Sequence, residues 1–166
     1  MKVGILTVSD RSFRGEREDL GGPELTRWVS ERGMEIARHA IVPDEADAIA
    51  AVLKEWADDG ALHLVLTTGG TGVSPRDVTP DATLQVADRL IPGFGERMRA
   101  ESVRKTPMAI LSRAVAVVRK ETLIINLPGS PKGAVENLAA VWDAVDHAVS
   151  KIRGDASDCA SPPTSE

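Results

Sequence analysis

The chain has 166 residues, 42% hydrophobic and 27% charged. That length suits one domain with or without a tail, and the balance excludes a wholly disordered, collagen-like or coiled-coil protein. Twenty basic against 25 acidic side chains leave a net charge of −5, with aromatics at 3% and no tyrosine, which argues against nucleic-acid binding on electrostatic and stacking grounds.

No apolar run approaches the ~18–20 residues of a membrane-spanning helix. The opening MKVGILTVSDR reads as a first strand over residues 2–9 and not as a secretory signal. Pro23 follows where a first-turn helical proline belongs. Residues 36–42 are a second β-branched run, and residues 45–59 carry Ile49, Val52, Leu53 and Trp56 on one helical stripe that Gly60 ends. Residues 62–68, LHLVLTT, are too continuously apolar for a half-exposed strand and suit a sheet covered on both faces. Thr79-Pro80-Asp81 starts another helix. Residues 115–119 and 123–127 could pair as a hairpin across Lys120 and Glu121, although that turn lacks the usual glycine or asparagine. Residues 131–153 form a last amphipathic helix opened by Pro131. Trp28, Trp56 and Trp142 all take core-facing helical positions. This alternation predicts a three-layer, doubly wound α/β fold: a mostly parallel sheet, helices on both faces and an antiparallel edge hairpin. The domain is expected over residues 1–153, with residues 154–166 as a disordered tail. The single cysteine, Cys159, lies in that tail and cannot form an internal disulfide, so a reducing cytoplasm is the expected location.

In such folds ligands bind beyond the carboxyl ends of the strands. The loops there are Ser9-Asp10-Arg11-Ser12, Pro43-Asp44-Glu45, the run from Gly69 to Asp77, and Pro128-Gly129-Ser130-Pro131-Lys132-Gly133. Three glycines in the four residues Gly69, Gly70, Thr71 and Gly72 let backbone N–H groups converge on an anion; the hydroxyls of Thr67, Thr68, Thr71 and Ser74 add donors. Ser130 would cap the helix begun by Pro131, an end that favours phosphate or carboxylate, with Lys132 adding charge. The same glycines would also serve as tight strand-to-helix turns, and both readings stand open. A P-loop needs lysine and a hydroxyl residue directly after its last glycine, whereas Val73 follows Gly72; the turn after the first strand lacks a dinucleotide fingerprint.

Asp44 stands directly before a helix, where aspartate is a favoured cap. Asp77 lies in a loop before Thr79, the better cap, and has no periodic role. Asp10 is either a turn-former or a ligand. Two or three carboxylates on a rim of phosphate-cradling loops suit Mg2+. His39, His63 and His147 are scattered without metal-ligand spacing.

HLVLTTGGTGVSPRDVTPDAT, followed by PGFGERMR, SRAVAVVRK and LIINLPGSPKG, resembles the bacterial molybdopterin adenylyltransferase family of molybdenum-cofactor biosynthesis over essentially residues 1–152. The resemblance implies a doubly wound, trimeric enzyme that moves AMP from Mg·ATP to the terminal phosphate of molybdopterin, releases pyrophosphate and hands its product to the molybdate-inserting enzyme. It places the catalytic aspartates at Asp44 and Asp77, which would also hold Mg2+, with Asp10 as a third ligand or helper. Substrate and phosphate contacts fall on Ser9, Asp10 and Arg11, on Thr68, Gly69, Gly70, Thr71, Gly72, Ser74 and Arg76, and on Pro128, Gly129, Ser130 and Lys132. Arg76 or Arg11 would offset charge on the departing pyrophosphate. A sister branch of the same fold, expected to bind pterin or nucleotide without transfer, keeps a weaker form of the segment after the glycine loop. The intact Arg76-Asp77-Val78-Thr79-Pro80 favours the active branch. Some family members carry an insertion after residue 138 and a longer carboxyl-terminal region, where this chain runs on as one helix.

Overall fold

A computed structural model describes residues 1–156 of the chain; Cys159 and the expected tail from residue 157 on lie outside the described residues. In chain order the elements are β1 (Lys2–Val8), α1 (Asp10–Phe13), α2 (Gly21–Ser30), β2 (Glu35–Val42), α3 (Ala46–Asp58), β3 (Leu64–Thr68) and α4 (Thr79–Gln85). There follow β4 (Arg89–Leu90), α5 (Pro92–Val103), a 3-10 turn (Pro107–Leu111), β5 (Ala116–Arg119), β6 (Thr122–Leu127) and α6 (Pro131–Ile152). The sheet order is β2-β1-β3-β6-β5-β4. β2, β1, β3 and β6 run parallel, and β5 and β4 close one edge antiparallel.

Strand alternation splits the core into two layers. Val3, Ile5, Leu64, Leu66, Leu123 and Ile125 face α2, α5 and α6 through Leu25, Trp28, Met98, Leu138 and Val145. Leu6, Val8, Val65 and Ile124 face α3 and α4 through Ile49, Leu53, Trp56 and Ala82. β3 and β6 are buried along their whole length, which is why they read as unbroken apolar runs. The expected three-layer arrangement is thus present. Trp28 and Trp142 meet edge to face, with ring centroids 5.0 Å apart.

The edge hairpin forms despite its unfavourable turn. Lys120 adopts a left-handed conformation at φ 51, and its N–H donates to the Asp88 carboxylate at 2.7 Å, a tertiary bond that helps hold a residue which rarely visits this region. α5 carries no clear apolar stripe, and β4 has only two residues; neither has a periodic signature. A buried network fixes α4 to the sheet, with Asn126 Nδ2 donating to Thr67 Oγ1 at 3.0 Å and to Thr83 Oγ1 at 2.9 Å.

Candidate active site

The parallel strands end on one rim, and the loops beyond β1, β2, β3 and β6 meet there. Two of them exchange hydrogen bonds. The Asp10 N–H donates to Asp44 Oδ2 at 2.7 Å, and the Asp44 N–H donates to Asp10 Oδ1 at 3.0 Å. Arg76 reaches over from the glycine-rich loop to grip the Asp10 carboxylate with Nε at 3.0 Å and Nη2 at 2.8 Å. Asp10 is therefore a hub joining three loops.

Asp44 does not cap α3. Glu45 occupies the cap position and makes no side-chain cap bond; the Asp44 carboxylate spends its acceptor on the Asp10 N–H instead. Burial raises the Asp44 pKa above the ordinary aspartate range. The charges of Asp10 and Asp77 push the same way, against the Asp10 N–H and Arg76. Burial acts on Asp10 too, but the Arg76 hydrogen bonds and the Asp44 N–H hold its pKa low. Thr79 does not cap α4 either: its hydroxyl donates to the Gly69 carbonyl at 2.9 Å, and its N–H donates to the Gly70 carbonyl at 3.1 Å.

Those bonds hold the glycine-rich loop open. Gly69 and Gly70 take φ 108 and φ 61, a region that glycine enters without the Cβ penalty. The carbonyls of Thr71 and Gly72 accept from Arg113, at 2.8 Å from its N–H and 2.9 Å from Nε. With the carbonyls turned into the protein, the N–H groups of Gly70, Thr71 and Gly72 have no partner among the described residues. Such a row of free donors is what an anion requires. The two aspartates flank it. A Cβ on Gly70 would sit 3.3 Å from Asp44 Oδ1, and one on Gly72 would sit 2.8 Å from Asp77 Oδ2. Asp77 is tied down by the Ser74 N–H at 2.8 Å.

The later loop closes against this cradle. Thr68 Oγ1 donates to the Pro128 carbonyl at 2.9 Å. A Cβ on Gly129 would lie 3.3 Å from Gly69 Cα. Ser130 caps α6 as expected, accepting from the Gly133 N–H at 3.3 Å.

A cleft of about 460 Å3 runs along the rim, lined among others by Ser9, Asp44, Thr68, Gly69, Gly70 and Ser130. A second cavity of about 370 Å3 lies beyond Ser130, walled by Pro128, Lys132, Arg99 and Asn137. Asp10, Arg11, Thr71, Gly72, Ser74, Arg76 and Asp77 line neither; Asp10 joins the cleft through its bonds with Asp44, and Arg76 through Asp10. Sequence reasoning missed Thr7, Arg17 and Asp19, which line the cleft, and Arg113, which orders the glycine-rich loop and pairs with Asp81 at 2.8 Å. Asp19 before Gly21-Gly22-Pro23 had a readable signal, an acidic residue at a helix start. Arg113 had none, because its contacts bridge distant parts of the chain.

An open α/β sheet whose carboxyl rim carries unpaired loop amides between two aspartates defines a protein that handles phosphorylated ligands. Residues 4–147 match the family described as probable molybdopterin binding domain, and the chain belongs to that family. It is 53% identical over 146 residues to a Haemophilus influenzae protein named molybdopterin adenylyltransferase, covering 86% of this chain and 74% of the relative. An Escherichia coli K12 protein of the same name is 48% identical over 152 residues, 90% of this chain and 77% of that one. Among solved structures, the molybdopterin biosynthesis enzyme MoaB of Thermus thermophilus superposes with a TM-score of 0.87 at 53% identity, covering 92% of this chain and 96% of its own. The tungsten cofactor synthesizing protein MoaB of Pyrococcus furiosus gives 0.83 at 33% identity, covering 92% and 96%.

Proposed function

We propose that this protein is a molybdopterin adenylyltransferase, moving AMP from ATP to the terminal phosphate of molybdopterin. The observation that carries the mechanism is the placement of Asp44 beside Gly70 and Asp77 beside Gly72 on one cradle. A phosphate oxygen of molybdopterin attacks the α-phosphorus of ATP and forms a new P–O bond. The bond from that phosphorus to the bridging oxygen breaks, and pyrophosphate leaves with the electron pair. Both reactants are anions, so alignment and charge neutralisation matter more than proton transfer.

In this reading the free amides of Gly70, Thr71 and Gly72 hold the ATP phosphates, and the Thr68 hydroxyl, donating to the Pro128 carbonyl, joins their loop to the later one. Ser130 and Lys132, which line the second cavity, hold the pterin or its phosphate. Arg76 is bound to Asp10, so offsetting the pyrophosphate charge would require it to leave that carboxylate.

Mg2+ fits the donor set. It is held by one or two carboxylates plus substrate phosphates, and Asp44 and Asp77 form such a pair. Asp10 is less suited because Arg76 grips it from two nitrogens. When bound, the ion neutralises phosphate charge. No group of three or more acidic, histidine or cysteine side chains is placed to hold a metal among the described residues; the rest of the shell would come from ATP and water.

The remaining parts of the proposal are a working domain over residues 1–153, a cytoplasmic homotrimer, and delivery of the product to a molybdate-inserting enzyme. No helix among the described residues is long and apolar enough to cross a membrane. Met108, Ile110 and Leu111 are exposed on the 3-10 turn, an apolar patch of the kind that subunit contacts bury. Pyrophosphate release from Mg·ATP that depends on added molybdopterin supports transfer. Binding of both ligands without release assigns the chain to the non-transferring sister branch.

A further inference from the structure

The cleft wall holds two carboxylates that the reaction above does not use, the exposed Glu18 and the buried side chain of Asp19. Asp19, in the loop between α1 and α2, has a side chain only 8% exposed. Its Oδ1 accepts from the N–H groups of Gly21 and Gly22, both at 3.0 Å. Its Oδ2 accepts from the Thr7 hydroxyl at 2.7 Å and faces His39 Nε2 at 3.6 Å. These groups meet over Gly22, where a Cβ would come within 2.5 Å of Asp19 Oδ2 and His39 Nε2 and 2.8 Å of Thr7 Oγ1. Gly21 lies close to Thr68: a Cβ added there would be 3.0 Å from Thr68 Oγ1. That hydroxyl ties the glycine-rich loop to the Pro128 carbonyl. A continuous line of contacts therefore runs from Asp19 through Gly21 and Thr68 to Pro128.

We infer that Asp19 is a positioning residue: by fixing the amino terminus of α2 it sets the place of Thr68 and the gap between the two phosphate-facing loops. A helix amino terminus ordinarily attracts phosphate. Here a carboxylate of the protein itself takes two of those N–H groups, which leaves the donors of Gly70, Thr71 and Gly72 as the place for the substrate anion. The inference rests on the adenylyl-transfer reading and refines it.

The test is steady-state kinetics on the full chain with Asp19→Ala, Asp19→Asn, Gly22→Ala, Thr68→Ala and the Asp19→Ala/Thr68→Ala double variant. Misplacing a contact by a fraction of an ångström to an ångström costs on the order of tenfold to a hundredfold. Asp19→Ala is expected to raise KM for ATP about tenfold with little change in kcat. Asp19→Asn keeps an acceptor for the α2 amides and should recover most of the loss. Gly22→Ala displaces the carboxylate without deleting it and should raise KM in the same way, which carries the test if Asp19→Ala does not fold. The double variant should be no worse than the poorer single variant, as for residues acting through one another. An unchanged KM in Asp19→Ala and Gly22→Ala, or additive losses in the double variant, overturns the inference. A wild-type protein that releases no pyrophosphate counts against the adenylyl-transfer reading alone; the pattern expected in KM is then read in the calorimetric affinity for ATP.

Discussion

Asp10 and Asp44 are locked face to face: each main-chain N–H donates to the other's carboxylate, at 2.7 Å and 3.0 Å. The loops after β1 and β2 are therefore joined, and the Asp44 carboxylate is held at the cradle while burial and its acidic neighbours keep its pKa raised. A carboxylate with a raised native pKa destabilises the fold at neutral pH, and protonation relieves that as pH falls through the folded value. Asp44→Asn is accordingly expected to abolish AMP transfer, by about a hundredfold or more, without lowering the melting temperature of the metal-free protein at neutral pH. Any gain in melting temperature should shrink on acidification. Paired activity assays and thermal scans check this, and a lowered melting temperature with full turnover would restore a capping role.

Arg76 connects that pair to the glycine-rich loop. Its guanidinium lowers the pKa of both Asp10 and Asp44. Arg76→Ala should therefore raise both and move the acidic limb of the kcat/KM profile to higher pH. A pH–rate comparison with wild type reads the shift, and a limb moving to lower pH would contradict the assignment.

Gly70 combines a left-handed backbone with a Cβ position 2.4 Å from Thr79 Oγ1. Gly70→Val should push Thr79 off the Gly69 carbonyl, collapse the row of free amides and weaken ATP binding by at least about tenfold. Calorimetric titration of ATP is the measurement. Unchanged affinity would mean that the loop is a turn and not a cradle.

Leu66 is fully buried in β3 among α2, α5 and α6. Leu66→Ala should cost about 2–5 kcal/mol in denaturant unfolding. Its effect on kcat in the remaining folded protein should be small, since the apolar cluster around it shares no residue with the cleft lining.

Much of this architecture was legible in the chain itself, because burial leaves periodic marks. The unbroken apolar runs of β3 and β6 announced a covered parallel sheet, and the stripe from Ile49 to Trp56 announced α3. β4 and α5 were not readable: two residues carry no period, and α5 shows no apolar face. At the site, the glycine-rich loop was visible because its composition is local. The part played by Asp44 was ambiguous because a cap and a cleft carboxylate look alike in one dimension; only the Asp10 N–H at 2.7 Å separates them. Arg113 acts through partners distant in the chain, and such contacts leave no spacing to read, whereas Asp19 left a local mark, an acidic residue at a helix start.

The most direct measurement follows the transferred group. ATP labelled at its α-phosphate is incubated with Mg2+, molybdopterin and the protein, and the products are separated. The account predicts that label moves onto the pterin, that pyrophosphate appears in equal amount, and that Asp77→Ala stops both. Label that stays in the nucleotide, or that moves equally well with Asp77→Ala, would contradict it.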